Sequence, residues 1–374
     1  MSAARLRVGL LFGGASVEHE VSVVSARGVA SGLDPGRYRI VPLAVTGEGR
    51  WLSPERSRGV LEGGAARTDE TEGGDDDGAR LVADPGGGGL LRVEADGTSS
   101  RVPIDVLFPV LHGWGGEDGR VQGLLDLAGI PCVGAGVLGS ALGMDKVLAK
   151  SVFESRGLPV GPWRWIDCAR FDLDPSGAAA RIANEIGLPA FVKPSNGGSS
   201  VGVSRVEDRD GVRPALEAAL ALDRRAVVEA AIDAREIECA VLGNDDPEAS
   251  VPGEILPSRA FYDYAAKFVD GTSRLVIPAP LDEATASTVR RIAIEAFRSL
   301  DLAGMARVDF FLERGSGRVL LNEVNTLPGF TGISMYPKLW EATGVPYPDL
   351  LDRLVRLALE RAQVAGARTS RRRG

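Results

Sequence analysis

Lysine is scarce in this chain: of its 43 basic residues only five, Lys146, Lys150, Lys193, Lys267 and Lys338, are lysines. Where positive charge is written as arginine by default, a lysine marks a place that needs a compact point charge, unless it is simply a surface residue. Cysteine is scarce too. Cys132, Cys168 and Cys239 are odd in number, widely spaced and without a Cys-x-x-Cys pair, so they suggest neither a disulfide framework nor a zinc ribbon and fit a reducing cytoplasm. No apolar run approaches the ~20 residues of a membrane helix. At the N-terminus Arg5 and Arg7 precede the apolar Val8 to Phe12, but the run breaks at Gly13-Gly14 and meets Glu18, so no signal core is expected. The net charge of -8 argues against a general nucleic-acid binder, and an acidic substrate would need a local basic pocket.

What is present is an ordinary globular composition, 374 residues with 44% hydrophobic and 25% charged, enough for two or three domains. Strand-like runs alternate with helical spacing from the start: Leu6 to Phe12, then Val17 to Leu33, then Tyr38 to Val45, with a further buried strand at Val102 to Val110 and a helix through Leu124 to Ala128. This reads as an open α/β domain over residues 1–135. It is interrupted at about 54–100 by TDETEGGDDDG and DPGGGG, a polar, Gly-rich insertion expected to be a solvated loop. A second block, 136–240, carries a helix from Asp145 to Gly157, strands at Ala190 to Lys193, Val227 to Glu229 and Glu236 to Val241, and a helix at Pro214 to Leu222. The third, 241–366, has a helix from Asp282 to Leu300, strands at Met305 to Leu312 and Arg318 to Val324, and a last helix through Tyr347 to Ala362; residues 367–374 are expected to be a disordered tail.

Four stretches carry chemistry. GGASVEHE, Gly13 to Glu20, lies between a strand and a helix, where backbone N–H groups can meet an anion, or where the chain simply turns tightly. It is neither a Walker loop nor a G-x-G-x-x-G dinucleotide loop, and Val23 stands where a zinc-protease helix opened by His19-Glu20 would need its second histidine. VKPSNGGSSVGV, Val192 to Val203, contains G-x-S-x-G, but the chain's two histidines, His19 and His112, both precede it, against the order of an α/β hydrolase. Lys193 ahead of a Gly/Ser loop suits a phosphate-holding lid; a hairpin turn is the alternative. ARVDFF and LNEVNTLPGFTGIS place Arg307 with Asp309, and Glu323 with Asn325, on one face of two strands. Such oxygen donors suit Mg²⁺ completed by water and phosphate, the other reading being an ion cluster satisfied by Arg307. Finally FYDYAAKFVDG, Phe261 to Gly271, puts aromatic rings around Lys267 and either packs as core or closes over something.

At these residues the chain resembles the ATP-grasp superfamily and, within it, the D-alanine–D-alanine ligase family of the peptidoglycan pathway. GGASVEHEVS, LHGWGGEDG, GMDK, VKPSNGGSSVGV, VVEAAI with REIE, FYDYAAKF, ARVDFF and NEVNTLPGFTGIS occur in the family's order over nearly the whole chain. The resemblance implies an ATP-grasp fold in which two α+β subdomains clamp ATP beside the N-terminal α/β domain. It implies Lys146, Lys193 and Lys267 at the ATP phosphates, Glu229, Glu236, Ile232 and Phe311 around adenine and ribose, and Asp309, Glu323 and Asn325 on Mg²⁺ or Mn²⁺, two ions in all. Glu18 would hold the first D-alanine's ammonium, Arg307 and the Gly329 N–H the oxyanion, Ser199 and Ser334 the second substrate, with His112 at or behind the substrate. The implied reaction passes through a D-alanyl phosphate with release of ADP, in a cytoplasmic homodimer that engages neither nucleic acid nor membrane.

The sequence departs from the family at Phe268, where most dipeptide-forming members carry a tyrosine whose hydroxyl joins the counterparts of Glu18 and Ser199. Phenylalanine cannot make that hydrogen bond. Members that make D-alanyl-D-lactate resemble this sequence there, so a D-alanine–D-lactate depsipeptide ligase stands as the alternative. A non-catalytic nucleotide-binding relative is disfavoured by the intact acidic set, lysines and Arg307; against another ATP-grasp ligase stand the paired GGASVEHEVS and GFTGIS motifs, which favour the D-alanine family without fixing the second substrate.

Overall fold

The first strand, β1 (Leu6–Gly13), buries Val8, Leu10, Leu11 and Phe12 completely, the signature of a strand covered on both faces. It is the centre of a parallel sheet in which β2 (Tyr38–Val45) lies on one side and β6 (Val106–Pro109) on the other, with α1 (His19–Gly32) as the crossover. The computed structural model describes residues 4–63, 80–84, 89–256 and 274–372.

The insertion is structured where it is described, in contrast to the loop expected from its composition. It carries α2 (Pro54–Glu62), capped by the Ser53 hydroxyl, and an antiparallel meander of β3 (Arg80–Ala83), β4 (Leu90–Val93) and β5 (Ser99–Val102). The reason is a short alternation of apolar residues within the polar segment: Leu90 and Val102 are buried, and Leu81 and Ala83 pack with them against Leu11, Leu43 and Leu107. The run read as one strand from Val102 to Val110 is therefore two strands, broken at Pro103 to Asp105, where Asp105 takes a bidentate bond from Arg7. The run TDETEGGDDDG lies outside the described residues.

After α3 (Arg120–Leu127) and α4 (Val137–Met144), α5 (Lys146–Ser155) leads into the central sheet. That sheet is antiparallel, in the order β7 (Trp163–Asp167), β10 (Arg225–Ala230), β8 (Ala190–Pro194), β9 (Ser204–Val206). Its core packs against α6 (Cys168–Leu173), α7 (Pro175–Ile186) and α8 (Arg209–Leu220). Helix α8 begins ahead of the expected Pro214 because the Asp208 carboxylate caps it, accepting from Gly211 N at 3.0 Å.

The third sheet runs β14 (Arg274–Val276), β13 (Gly253–Leu256), β11 (Ala234–Gly243), β15 (Gly304–Glu313), β16 (Val319–Asn325), with the short β12 (Glu248–Ala249) on β11. Strand β11 pairs with β15 along its whole length, from Ala234 opposite Glu313 to Gly243 opposite Gly304, so it belongs to this sheet and crosses the division drawn at 240. Residues of α5 join the same core: Ala149 and Phe153 pack with Phe297 of α9 (Glu283–Ser299). Helix α10 (Met335–Ala342) is followed by α11 (Tyr347–Arg372), which continues past Ala362 into the expected tail. Leu350, Leu351, Leu354 and Val355 of α11 pack into one core with Val23, Ala26 and Val29 of α1, which ties the first sheet to the third. The three cysteines are free, and burial pushes the thiols of Cys132 and Cys239 up to about 12.

Candidate active site

A cleft of about 820 Å³ opens where the central and third sheets meet the N-terminal sheet's loops. Every site residue read from the sequence lines it (Glu18, His112, Lys146, Lys193, Ser199, Glu229, Ile232, Glu236, Arg307, Asp309, Phe311, Glu323, Asn325, Gly329 and Ser334), apart from two. Lys267 and Phe268, with the rest of FYDYAAKFVDG, lie outside the described residues.

Lys146 owes its place to the residue before it. Asp145 caps α5, accepting from Leu148 N at 3.0 Å, while the same carboxylate accepts from Ser195 Oγ at 2.7 Å and pairs with Arg225. The helix start is thereby pinned to the end of β8, and Lys146 Nζ donates to Gly197 O at 2.7 Å, inside the Gly/Ser loop. Burial lowers the pKa of Lys146. Lys193 on β8 pairs with Glu229 on the neighbouring β10, and Lys150, one turn after Lys146 on α5, stands 2.9 Å from the other oxygen of that carboxylate. Burial works against the Glu229 charge, but the two lysines outweigh it and hold its carboxyl down to about 2. The Glu229 carboxylate, expected near adenine and ribose, thus sits between two ammonium groups. Lys150 and Asp145 were missed as site residues; the i, i+4 spacing of Lys146 and Lys150 puts both on one helix face and was the available signal.

The acidic end is built by strand register. Asp309 lies opposite Glu323, Arg307 opposite Asn325, and on the other side Glu238 lies opposite Asp309, so three strands deliver their charged residues to one patch. Arg307 grips Asp309 with two bonds of 2.7 Å and reaches Glu238 at 3.0 Å. Its burial disfavours the charge, yet Asp309 and Glu238 reverse that and raise its pKa. Among the described residues no three His, Cys, Asp or Glu side chains converge as a metal cage. The donor set still fits a hard cation: a carboxylate has about four lone-pair sites, of which Arg307 uses two on Asp309, and Mg²⁺ takes few protein ligands when phosphate and water supply the rest.

At the far end the Glu18 carboxylate stands between two glycines: a Cβ would lie 3.2 Å from its Oε2 at Gly198 and 3.4 Å at Gly113. The first motif is also a tight turn, since His19 bonds Gly14 O at 2.6 Å and Ser22 Oγ receives Gly13 N at 2.8 Å. Ser199 and Ser200 hold left-handed φ of 50° and 60°, a conformation that β-carbon residues rarely adopt. His112 is buried and its pKa is lowered by that burial, so it is neutral: Nδ1 donates to Leu327 O at 3.2 Å and Nε2 accepts from Ser25 Oγ at 3.4 Å. Ser25 Oγ in turn accepts from Phe330 N at 3.2 Å. Both ring nitrogens thus brace the segment that carries Gly329, at the wall of the cleft. Ser334 begins α10 and its Oγ lies 2.8 Å from Thr331 Oγ1, directly beside Gly329.

Glu117, also missed, is buried beside Glu18 and accepts from Gly113 N at 2.6 Å. Burial, then the Glu18 charge, push its pKa up from 4.5 to about 8. A carboxyl that ionises later in the folded than in the unfolded protein stabilises below its ordinary value and loses that contribution as pH rises. The melting temperature of the protein relative to a Glu117→Gln variant is therefore expected to fall between about pH 4.5 and 8 and level off above that range. A constant difference across this range would contradict it.

Two antiparallel sheets that meet at a cleft of lysines and carboxylates, with a Gly/Ser loop over it, define an ATP-dependent ligase of the ATP-grasp class. Residues 7–135 match the family described as D-ala D-ala ligase N-terminus, and residues 152–356 match D-ala D-ala ligase C-terminus. The chain belongs to the D-alanine–D-alanine ligase family. It is 47% identical over 357 residues to the D-alanine--D-alanine ligase of Halothermothrix orenii, covering 96% of this chain and 99% of that one. Its identity to the D-alanine--D-alanine ligase of Thermoanaerobacter sp. is 48% over 355 residues, covering 95% and 96%. Among solved structures it is similar to the D-alanine-D-alanine ligase from Coxiella burnetii, with a TM-score of 0.83, 36% identity and 98% coverage of both chains. The VanG D-Ala:D-Ser ligase from Enterococcus faecalis gives 0.81 and 31%, with 95% of this chain and 100% of that chain covered.

Proposed function

We propose that the protein joins two D-alanines at the expense of ATP, through a D-alanyl phosphate. The convergence of three lysines, the Arg307–Asp309–Glu323 patch and Glu18 in one cleft is the observation that carries this reading. Glu18 takes the ammonium of the first D-alanine and leaves its carboxylate facing the cleft. That carboxylate attacks the γ-phosphorus, the bond to ADP breaks, and Lys146 and Lys193 hold the phosphate oxygens during transfer, where positioning and charge stabilisation do most of the work. Lys267 is assigned to the same phosphates from its motif. Asp309, Glu323 and Asn325 would hold Mg²⁺, which when bound neutralises charge on the phosphates. The amine of the second D-alanine then attacks the acyl carbon, phosphate leaves, and the amine proton passes to solvent or base. Arg307 and the Gly329 N–H face the oxyanion formed in that attack, donors worth about 3 to 4 kcal/mol each in other enzymes. Ser334 and the N-terminus of α10 hold the second carboxylate, with Ser199 across the cleft. Ile232 and Phe311 flank the adenine and Glu236 the ribose. Among the described residues no helix is long and apolar enough to cross a membrane. A cytoplasmic homodimer is the accompanying expectation.

The test is ADP release by purified protein with ATP, Mg²⁺ and D-alanine, against L-alanine. Release that does not depend on D-alanine would overturn the proposal.

The acceptor has a second reading, favoured by Phe268. Lactate's hydroxyl need not lose a proton before binding as a nucleophile, whereas the D-alanine ammonium must. With both acceptors present, D-alanyl-D-lactate is expected to be the larger share of product at about pH 6 and to give way to the dipeptide towards about pH 9, because the free-amine fraction rises with pH. Mass spectrometry of the products reads this, and absence of ester throughout would leave D-alanine as the acceptor.

A further inference from the structure

The most enclosed lysine of the cleft, Lys150, has no role in the reaction just described. Its side chain is 5% exposed, against 14% for Lys193. Its Nζ stands 2.9 Å from Glu229 Oε1 and donates to Asn322 O at 3.1 Å, so a single cation joins α5, β10 of the central sheet and β16 of the third sheet, one residue from Glu323. Both contacts anchor it at the wall of the cleft, which leaves it poorly placed to follow a ligand.

Lys193 is in a different position. It pairs with the remaining oxygen of Glu229, yet it is the lysine that must turn towards phosphate when nucleotide enters. If Glu229 had no other cation, that turn would strand a buried carboxylate, which is strongly unfavourable. Lys150 removes the obstacle, since it stays on Glu229 whether Lys193 is there or not. Glu323 nearby also favours the charged forms of Lys146 and Lys193, so these two lysines draw on both glutamates.

We infer that Lys150 is a positioning residue for nucleotide binding, a fixed counter-ion that keeps Glu229 compensated and so frees Lys193 to move from carboxylate to phosphate. This rests on the nucleotide-binding reading of the cleft. The experiment is calorimetric titration of the full chain with ADP and Mg²⁺, beside steady-state kinetics. Wild-type protein that binds no ADP would fault the nucleotide reading itself, before any variant is made. With wild-type binding in hand, Lys150→Met is expected to weaken ADP binding at least tenfold, and to raise the KM for ATP, while the KM for D-alanine changes less than twofold. In a Glu229→Gln background there is no charge left to compensate, so adding Lys150→Met should change ADP affinity less than twofold. That comparison of Glu229→Gln with the double variant holds even where Lys150→Met alone fails to fold. Unchanged ADP affinity in Lys150→Met, or an equal loss with and without Glu229, would overturn the inference, the second result meaning that Lys150 acts on the ligand or the fold directly.

Discussion

Asp309→Asn is expected to lower kcat by a factor of about 10³ or more, equivalent to about 4 kcal/mol of transition-state stabilisation, while the protein stays folded. The two losses separate because Asp309 does two things. Its paired oxygens receive both Arg307 bonds of 2.7 Å, and the carboxylate lines the cleft opposite Glu323 in the strand register. Asparagine keeps an oxygen for Arg307 but loses the charge that a cation and phosphate need. Alanine removes both. Arg307 is then left with Glu238 at 3.0 Å as its close carboxylate partner, so Asp309→Ala should also cost stability, on the order of 2 to 3 kcal/mol, somewhat under the usual figure for breaking a buried pair. Glu323→Gln should match Asp309→Asn in turnover. Rates of D-alanine-dependent ADP release as Mg²⁺ is titrated, together with melting temperatures, check both halves. Substantial turnover in Asp309→Asn and Glu323→Gln would remove these residues from the metal set.

The acidic patch was legible because period-two alternation is local: Arg307 and Asp309 must share a face, as must Glu323 and Asn325, whatever surrounds them. The lysines stood out by rarity. The partners that make the patch and lysines work were less visible, because they depend on which strand lies beside which. Glu238 reaches Arg307 only through the β11–β15 register, and Glu117 acquires its raised pKa only by burial beside Glu18. The fold was missed in places for the opposite reason, where composition masked a local pattern. Four apolar residues suffice to seat the insertion's sheet on Leu11 and Leu43, although Gly and Asp dominate the segment around them. Likewise the start of α8 is set by the Asp208 cap, six residues before Pro214, and Pro214 lies inside the helix.

The second large effect is expected at a residue that touches no substrate. Gly28 of α1 faces the segment carrying Gly329, and a Cβ added there would lie 2.4 Å from the Phe330 carbonyl oxygen. Backbone cannot rotate away as a flexible side chain does, so helix and segment must part by about 1 Å to reach ordinary contact. Ser25, one turn earlier on the same face, holds Phe330 N and His112, and Gly32 one turn later lies against Tyr347. Small residues at Ser25 and Gly28 let α1 close on the segment, and Gly32 lets the same face close on α11. Gly28→Ala gains about 1 kcal/mol of helix propensity but incurs an overpacking cost of about 1 to 3 kcal/mol, so net destabilisation is expected. The larger consequence is catalytic, because a shift of about 1 Å in the Gly329 N–H would lower kcat about 10²-fold. Gly332→Ala is the matched control, since nothing lies within 4 Å of the Cβ it would add. It should leave kcat and melting temperature close to wild type. If Gly28→Ala proves as active and as stable as Gly332→Ala, the segment is not held by α1, and the chain of contacts from Ser25 through His112 to Leu327 does not set the oxyanion donor.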